Sequence, residues 1–204
     1  SGNDASLILG HITGNELLNP LQQTTGDVSS NSSLSSFDAS LILQFIAGYV
    51  DDIPISNSNF LPATGNVNAP EIFGEVGEII TVPIAIENST NLYSFTISFE
   101  YDNMQLESGS VYVDGISDYG FVVESEVSDL GSIIVTGASP TPVDGNLDLF
   151  TLYFIPREFE NGQIQIDCSQ TMLNEVTQQQ SFSILISNQL HIENGIKPNQ
   201  VRLT

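Results

Sequence analysis

Positive charge is nearly absent from this chain, which has three basic residues against 25 acidic ones and a formal net charge of −22. The three cations are Arg157, Lys197 and Arg202, so the first 156 residues contain neither Lys nor Arg. Binding to nucleic acid or to an anionic membrane surface needs Lys and Arg side chains opposite phosphate groups. The composition therefore excludes both as a main role.

Cysteine, tryptophan and long apolar runs are also scarce. Cys168 is the single cysteine, so no intramolecular disulfide can form. No run reaches the ~20 apolar residues of a membrane-spanning helix. The chain has 204 residues, 40% of them hydrophobic, which is enough for one or two domains with a real core. Its acidity favours an extracellular protein, because divalent cations outside the cell can offset the self-repulsion.

An internal repeat stands near the N-terminus. The eleven residues from Asp4 to Gly14 recur from Asp38 to Gly48, 34 residues later, with eight identical positions. Each copy predicts a short helix with its aspartate as N-cap and its glycine as the left-handed C-terminal residue. The segment 15–21 predicts one further helical turn, ended by Pro20. We expect the two repeat helices to pack apolar stripes together, Leu7, Ile8 and Ile12 against Leu41, Ile42 and Ile46.

The twelve residues before the second helix, Asp27 to Asp38, have the oxygen spacing of a calcium loop. The candidate ligands are five side chains and the backbone carbonyl of Ser33, giving the set Asp27, Ser29, Asn31, Ser33, Ser35 and Asp38. Two carboxylates are few for calcium, and Ser32 stands at the sharp turn where glycine is usual. The first repeat keeps only the end of such a loop, Ser1 to Asp4. We expect one weak calcium site, with a Ser/Asn-rich turn that caps a helix as the alternative.

The hydrophobic pattern changes to a period of two after a predicted linker at 51–69. Pro83 lies inside one predicted strand and indicates an edge or a bulge there. The pattern predicts a mainly β domain at 70–192 and an exposed tail at 193–204. Strands are predicted at 78–87, 92–101, 110–113, 121–127, 132–137, 147–155, 163–168 and 181–192.

The repeat with its loop resembles a dockerin, a small helical module of paired loop–helix units. The match runs from Gly26-Asp27 through Asp38 to Gly48, with serines at loop positions 3 and 6 as departures. The resemblance implies calcium as the cofactor, and a protein partner that meets loop positions 10 and 11 and the helix turn after them. These positions are Ser36, Phe37, Leu43 and Gln44 in the second copy and Gly2, Asn3, Leu9 and Gly10 in the first. The alternative for Phe37 and Leu43 is a place in the core.

Residues 70–192 resemble a cohesin, the β-sandwich that binds dockerins. The resemblance rests on the order of several elements rather than on any one of them. It implies a jelly-roll type of β-sandwich with about eight or nine strands, and it places Ser94 and Thr96 on the partner-binding sheet. The matching elements are Gly74–Gly77, Val82–Ile84, Leu92–Asp102 with Leu106-Glu107, Gly131–Gly137 and Leu147–Ile155.

Catalytic groups are hard to assemble from this sequence. It has two histidines, His11 and His191, and none of the common nucleophile, zinc-protease or phosphate-loop motifs. A carboxylate pair such as Glu124 and Glu126 is expected on a solvated strand face. We therefore expect a protein without enzymatic activity.

The expected function is an extracellular or cell-surface assembly protein of a bacterium, which binds a cohesin or dockerin partner, including another copy of itself. Pro54, Pro62 and Pro70 stiffen the linker, which favours head-to-tail contact between chains over capture within one chain. The alternative is a carbohydrate-binding module that takes polysaccharide. That function needs a flat row of exposed aromatic rings, whereas tryptophan is absent and the tyrosines form no evident row.

Overall fold

A computed structural model describes residues 1–55, 62–107, 109–114, 119–160, 162–178 and 181–188. Within these residues three α-helices precede nine β-strands. The helices are α1 (Gly2–Thr13), α2 (Pro20–Gly26) and α3 (Ser36–Ala47). The strands are β1 (Thr64–Asn68), β2 (Ile72–Gly74), β3 (Ile80–Tyr101), β4 (Tyr112–Asp114), β5 (Val122–Ser128), β6 (Ser132–Phe154), β7 (Gln163–Leu173), β8 (Val176–Thr177) and β9 (Ser183–Asn188).

The two repeat copies form α1 and α3, and their ends differ in part from the prediction. Gly14 and Gly48 end the helices with φ of 94° and 76°, as expected. The predicted aspartate N-caps are wrong, because each helix begins earlier, after a serine. In α3, Ser35 is the N-cap and the Asp38 carboxylate accepts from its backbone N–H at 2.8 Å, which completes a capping box.

The segment between the repeats is also different from the prediction. Pro20 begins α2 rather than ending a turn, since proline fits the first helical position, where its missing N–H costs no hydrogen bond. Asn19 is the N-cap, and its side chain accepts from the N–H groups of Leu21 and Gln22, each at 3.0 Å. Proline acts here as a start signal because a capping residue precedes it.

The helices share a hydrophobic cluster that is formed mostly by α1 and α3. Ala5, Ile8 and Leu9 of α1 are buried in it together with Leu41 and Ile42 of α3. The predicted stripe is correct for Ile8, Leu41 and Ile42 and wrong for Leu7 and Ile46, which are exposed. Spacings of three and four residues place Ala5, Ile8 and Leu9 on one face of α1, and Leu7 falls beside that face.

The mainly β fold is confirmed, and two long strands organise it. The C-terminal part of β3 pairs with the N-terminal part of β6 and with β7, and β5 joins this group through β6. The N-terminal part of β3 pairs with the C-terminal part of β6 and with β1. Register shifts between Ile84 and Ser94 interrupt the β3–β6 ladder, and the first of them follows Pro83 directly. Both long strands therefore take part in both layers of the sandwich.

The sandwich has its own core, separate from the helical cluster. Large buried side chains line it, including Phe95, Phe99, Phe150 and Phe154. Phe95 packs edge-on against Phe121 with ring centroids 5.3 Å apart. No residue belongs to both buried clusters among the described parts of the chain.

The predicted linker contains ordered structure at both ends. Ile53 and Ile55 pack against the helical cluster, and the Ile55 N–H donates to the Val28 carbonyl at 2.7 Å. Strand β1 also lies inside the predicted linker, so the sheet begins at Thr64 rather than after residue 69. Glycine and asparagine are uncommon in strands, so the alternation of apolar and polar residues did not predict this strand. Phe60 and the predicted tail at 193–204 lie outside the described residues.

A membrane-spanning helix is not found in the described part of the chain, where every helix is too short to cross a bilayer.

Candidate protein-interaction site

The helices lie on one face of the sheet. Helix α3 contacts β6 and β3, and α1 contacts β5 and β6. We call residues 1–55 the helical segment, and we call the face of β3, β5 and β6 beneath it the covered face. This contact brings together residues that are far apart in sequence, including several of those predicted for partner binding.

A polar stripe on α3 faces the sheet. Ser36, Ser40 and Gln44 follow one another at intervals of four residues, so they share one side of the helix, and all three are buried. The Ser40 hydroxyl donates to the Ser139 carbonyl at 2.7 Å and accepts from the Gln44 amide at 3.1 Å. The Thr96 hydroxyl of β3 lies 3.3 Å from the Ser36 hydroxyl. These contacts fix the position of α3 on the sheet.

A few apolar side chains complete the interface. Phe37 of α3 packs edge-on against Tyr93, with ring centroids 6.3 Å apart and 73° between the ring planes. Ala138 of β6 is buried in the helical cluster, and Val122 of β5 packs against it. Two polar contacts lie farther out, from Asn15 to the Ser125 carbonyl at 3.0 Å and from Ser35 to Glu175 at 3.3 Å.

Ser94 is an unusual residue of the covered face. It lies opposite Ala138 in the β3–β6 ladder, and directly paired residues point to the same side of a sheet, so Ser94 points towards the helices. Asn174 holds its backbone, because the Asn174 side chain accepts from the Ser94 N–H at 3.1 Å while the Ser94 carbonyl accepts from the Asn174 N–H at 2.8 Å. The Ser94 hydroxyl is fully buried and has no hydrogen-bond partner among the described residues.

The structure places the predicted partner-binding residues in different environments. Ser36 and Phe37 meet the sheet that carries Ser94 and Thr96, and Leu43 packs, partly buried, in the helical cluster. Gln44 is buried and donates to Ser40 of its own helix. In the first repeat Gly2 and Asn3 are exposed, Leu9 is buried in the helical cluster, and a Cβ at Gly10 would lie 3.0 Å from the Glu16 side chain.

The predicted helix surface and the predicted sheet surface lie against each other within one chain. Contact between chains, which the proline-containing linker was expected to favour, stays a prediction. Sequence reasoning also missed Ser40, which the four-residue spacing from Ser36 to Gln44 could have revealed.

The predicted calcium loop is closed by its own hydrogen bonds. Asp27 accepts from the Ser32 N–H at 2.8 Å and from the Asn31 N–H at 3.1 Å. The Ser29 hydroxyl donates to Asp27 at 3.3 Å, and the Asn31 side chain accepts from the Ser33 N–H at 2.7 Å. Ser32 has a φ of 71°, the left-handed conformation that the sharp turn requires.

Asp38 closes the other end of the loop from a fully buried position. Its carboxylate accepts from the Ser29 N–H at 2.9 Å, and from the N–H and hydroxyl of Ser35 at 2.8 Å and 3.1 Å. Burial raises the pKa of Asp38 above its ordinary value, while the hydrogen bonds from Ser29 and Ser35 oppose the rise.

The chemical type of the predicted ligands suits calcium. Every predicted ligand is a hard oxygen, and a buried carboxylate without a nearby basic residue is a place where a cation lowers the electrostatic free energy. The first 156 residues supply no Lys or Arg to fill that role. Carboxylates are too few here to form a metal site alone, and no group of three His, Cys, Asp or Glu side chains suited to a metal occurs in the described residues.

The helical segment lies across the β-sandwich, with small, polar and apolar side chains at the contact. The family model of the cohesin domain matches residues 65–183, which is more than half of the chain. The chain belongs to the cohesin domain family, whose members are non-catalytic interaction modules. The match does not include the helical segment, so its resemblance to a dockerin stays a prediction.

Solved structures of cohesins are similar to this chain at low identity. A type I cohesin–dockerin complex from Clostridium thermocellum is 15% identical, with a TM-score of 0.48, covering 61% of this chain and 99% of that one. The cohesin module of a family 33 glycoside hydrolase from Clostridium perfringens is 15% identical, with a TM-score of 0.47, covering 62% and 98%. A non-cellulosomal cohesin from Archaeoglobus fulgidus is 15% identical, with a TM-score of 0.45, covering 68% and 100%. The comparison with curated proteins gave no match.

Proposed function

We propose that this chain is an extracellular, non-catalytic assembly protein whose covered face binds a helical module of the dockerin kind. The observation that carries the proposal is the contact between this face and the chain's own α3, where Ser36 lies 3.3 Å from Thr96 and Ser40 donates to Ser139. A face that accepts the loop–helix unit of its own chain offers the same side chains to an equivalent unit of another protein.

Self-assembly follows if this contact is exchanged between copies. The helical segment of one chain on the covered face of the next is a heterologous contact, which closes into a ring or extends into a fibre. The net charge of −22 opposes the approach of two copies, so assembly is expected to need divalent cations in the medium.

The double variant S36C/T96C tests which chains make the contact. The two hydroxyl oxygens lie 3.3 Å apart, which brings the side chains within reach of a disulfide. After oxidation with and without about 10 mM calcium, well above the weak end of calcium-loop affinities, non-reducing electrophoresis separates the two arrangements. Disulfides within one chain give a monomer band, and disulfides between chains give a ladder.

The single variants S36C and T96C are the controls for this test, since neither can form the pair, and Cys168 is buried in the sandwich core. Self-assembly predicts a ladder that grows with protein concentration and calcium, and an increase in scattered light from the wild-type chain. A monomer band at every concentration, with monomeric light scattering, contradicts self-assembly.

We also propose that the loop from Asp27 to Asp38 binds calcium weakly. The proposal is supported by its all-oxygen donor set and by the buried carboxylate of Asp38, which makes no ion pair with a basic residue in the described part of the chain. Asp27, Ser29, Asn31, Ser35 and Asp38 would hold the ion with the carbonyl of Ser33. Calcium would stabilise the start of α3, and with it the positions of Ser36 and Phe37.

Polysaccharide binding is the alternative function, and the aromatic residues give it little support. Tyr112 stacks on Tyr153 with ring centroids 4.6 Å apart and 2° between the ring planes. Tyr93 packs against Phe37 in the helix–sheet contact. Rings that stack face to face do not form the shared flat platform on which a sugar chain lies.

A further inference from the structure

We propose that the helical segment is a releasable cap, which closes the covered face in one chain and must lift before another protein can bind there. The inference rests on the proposed function and adds its regulation. A closed cap makes the interaction depend on an opening equilibrium, in addition to the affinity of the exposed face.

Separate cores allow the cap to leave as a unit. The helical cluster is formed by residues of the helical segment, with Ala138 as the buried contribution of the sheet. The sandwich core contains no residue of the helical segment. Lifting the cap therefore exposes the contact surface and leaves the packing inside each part intact, which is the condition for a local opening below global unfolding.

The contact is built mainly from small and polar groups. Ser36 and Ser40 from the helix meet Thr96 and the carbonyl of Ser139, and Gln44 supports Ser40. Water can satisfy each of these polar groups once the cap has lifted, so the cost of opening lies mainly in exposing the apolar contacts of Phe37, Tyr93, Ala138 and Val122. Interfaces of this polar kind between parts of one chain commonly permit relative motion.

Ser94 shows that the cap fits the face imperfectly. The Ser94 hydroxyl is buried without a partner in the described chain. A hydrogen bond to Asn174 holds the Ser94 backbone, so the strand does not shift to bring the hydroxyl to another partner. Burial without a hydrogen bond favours the open state, in which water reaches the hydroxyl. An incoming helix that places a hydrogen-bonding side chain over Ser94 gains an interaction that the cap does not make.

The covalent connection explains why an imperfect cap still covers the face. Because the cap belongs to the same chain as the face, its binding is intramolecular and is governed by an effective concentration that a separate protein does not have. A separate partner at lower concentration must therefore bind the open face more tightly than the cap does. The cap selects for partners of better fit and suppresses weak contacts between copies.

Thiol labelling of the full chain tests cap release. S94C places a thiol on the covered face, whereas Cys168 lies in the sandwich core of the same molecule and serves as the internal control. Without denaturant, a small thiol reagent should modify the introduced thiol at least about 100-fold faster than Cys168, because local opening is more frequent than global unfolding. Equal rates at the two thiols, rising together with denaturant, would overturn the proposal.

A second variant keeps the test decisive if S94C does not fold. Ser139 is also fully buried on the sheet side, and S139C gives a second reporter. When an oxidised S36C/T96C disulfide holds the cap closed, labelling of the thiol from S139C should slow to the rate at Cys168. Fast labelling that persists in the closed chain assigns the opening to the sheet and contradicts a cap.

Assembly of the S36C/T96C chain separates this inference from the proposed function. Assembly of the reduced chain but not of the chain oxidised as a monomer supports both proposals. Equal assembly in the two states overturns the cap and leaves the proposed function standing. Fast labelling of S94C with no assembly in either state supports the cap and contradicts self-assembly.

Discussion

The Ser40 hydroxyl donates to the Ser139 carbonyl at 2.7 Å, and this buried hydrogen bond joins a helix to a strand 99 residues away. Ser40 also accepts from Gln44, so one hydroxyl connects the α3 stripe to β6. Its equivalent in the first repeat, Ser6 of α1, is partly exposed. The same residue type therefore stands in two environments at matched repeat positions, which provides a control for mutation.

Replacing Ser40 by alanine should weaken the helix–sheet contact. S40A leaves the Ser139 carbonyl buried without its donor, at a cost of about 1–3 kcal/mol. Faster labelling of the thiol from S94C in the S40A background would report this loss. S6A is the control and should change the labelling rate little. An effect of S6A as large as that of S40A would contradict the role given to Ser40.

Replacing Ser94 by alanine should leave the stability of the chain unchanged or increase it, in contrast to the replacement of Ser40. S94A removes a buried hydroxyl that has no partner in the described chain, so the unfolding free energy should stay unchanged or rise by up to about 1 kcal/mol. T96V is the comparison, because the Thr96 hydroxyl contacts Ser36 and Thr136 at 3.3 Å and 3.0 Å, and its loss should destabilise. Urea denaturation measures both. A destabilising S94A would mean that the hydroxyl is satisfied in solution.

The sequence predicted the strand regions better than their continuity. Two predicted strands, 78–87 and 92–101, are one strand, β3, because Asn88 and Asn91 continue the chain at φ of 52° and 57° instead of ending it. β6 likewise runs through the proline-containing stretch between 138 and 143, where its ladder with β3 is interrupted. Asparagine and proline signal a turn in sequence, whereas a sandwich also uses them where a strand passes between layers.

The residues of the candidate site were predictable from the sequence, but their contact within a single chain was not. Ser36, Phe37, Gln44, Ser94 and Thr96 were all named from the sequence, and the structure brings them together. Contact within one chain and contact between chains use the same side chains, so residue patterns do not distinguish them.

Cys168 should be inert in the folded protein. Burial raises the pKa of its thiol, which lies 3.3 Å from the Thr171 hydroxyl, so the reactive thiolate is rarer than at an exposed cysteine at the same pH. Because the folded pKa lies above the unfolded one, this thiol stabilises the fold fully below the unfolded pKa of about 8.5 and loses that contribution as pH rises through the folded pKa. Urea unfolding at pH 8 and pH 10 should therefore show a smaller loss of stability in C168A than in the wild-type chain.

The chain should not bind or hydrolyse polysaccharide. Tyr112 and Tyr153 cover each other rather than forming a platform, and Glu124 and Glu126 lie along β5, consistent with their expected place on a strand face. A pull-down with insoluble polysaccharides and an assay of released reducing sugar measure both activities. Binding that Y112A abolishes would support the carbohydrate alternative, and turnover that E124Q/E126Q removes would contradict a non-catalytic module.

Calcium should slow the release of the cap, because the loop it would bind leads directly into Ser36 and Phe37. The loop lies within the cap, so only a difference in calcium affinity between the closed and the open chain can slow release. In the closed chain the Glu175 carboxylate of the sheet lies 3.3 Å from the Ser35 hydroxyl of the loop, and calcium bound about ten times more tightly there would slow labelling of the thiol from S94C by about tenfold. D27A should abolish the effect, since Asp27 is the first ligand and holds the loop through Asn31 and Ser32. D52A changes an exposed carboxylate outside the loop and should leave the calcium effect intact. If calcium changes neither the labelling rate nor the melting temperature of the wild-type chain, then the hydrogen bonds of Asp27 and Asp38 close the loop alone, and the calcium proposal is wrong.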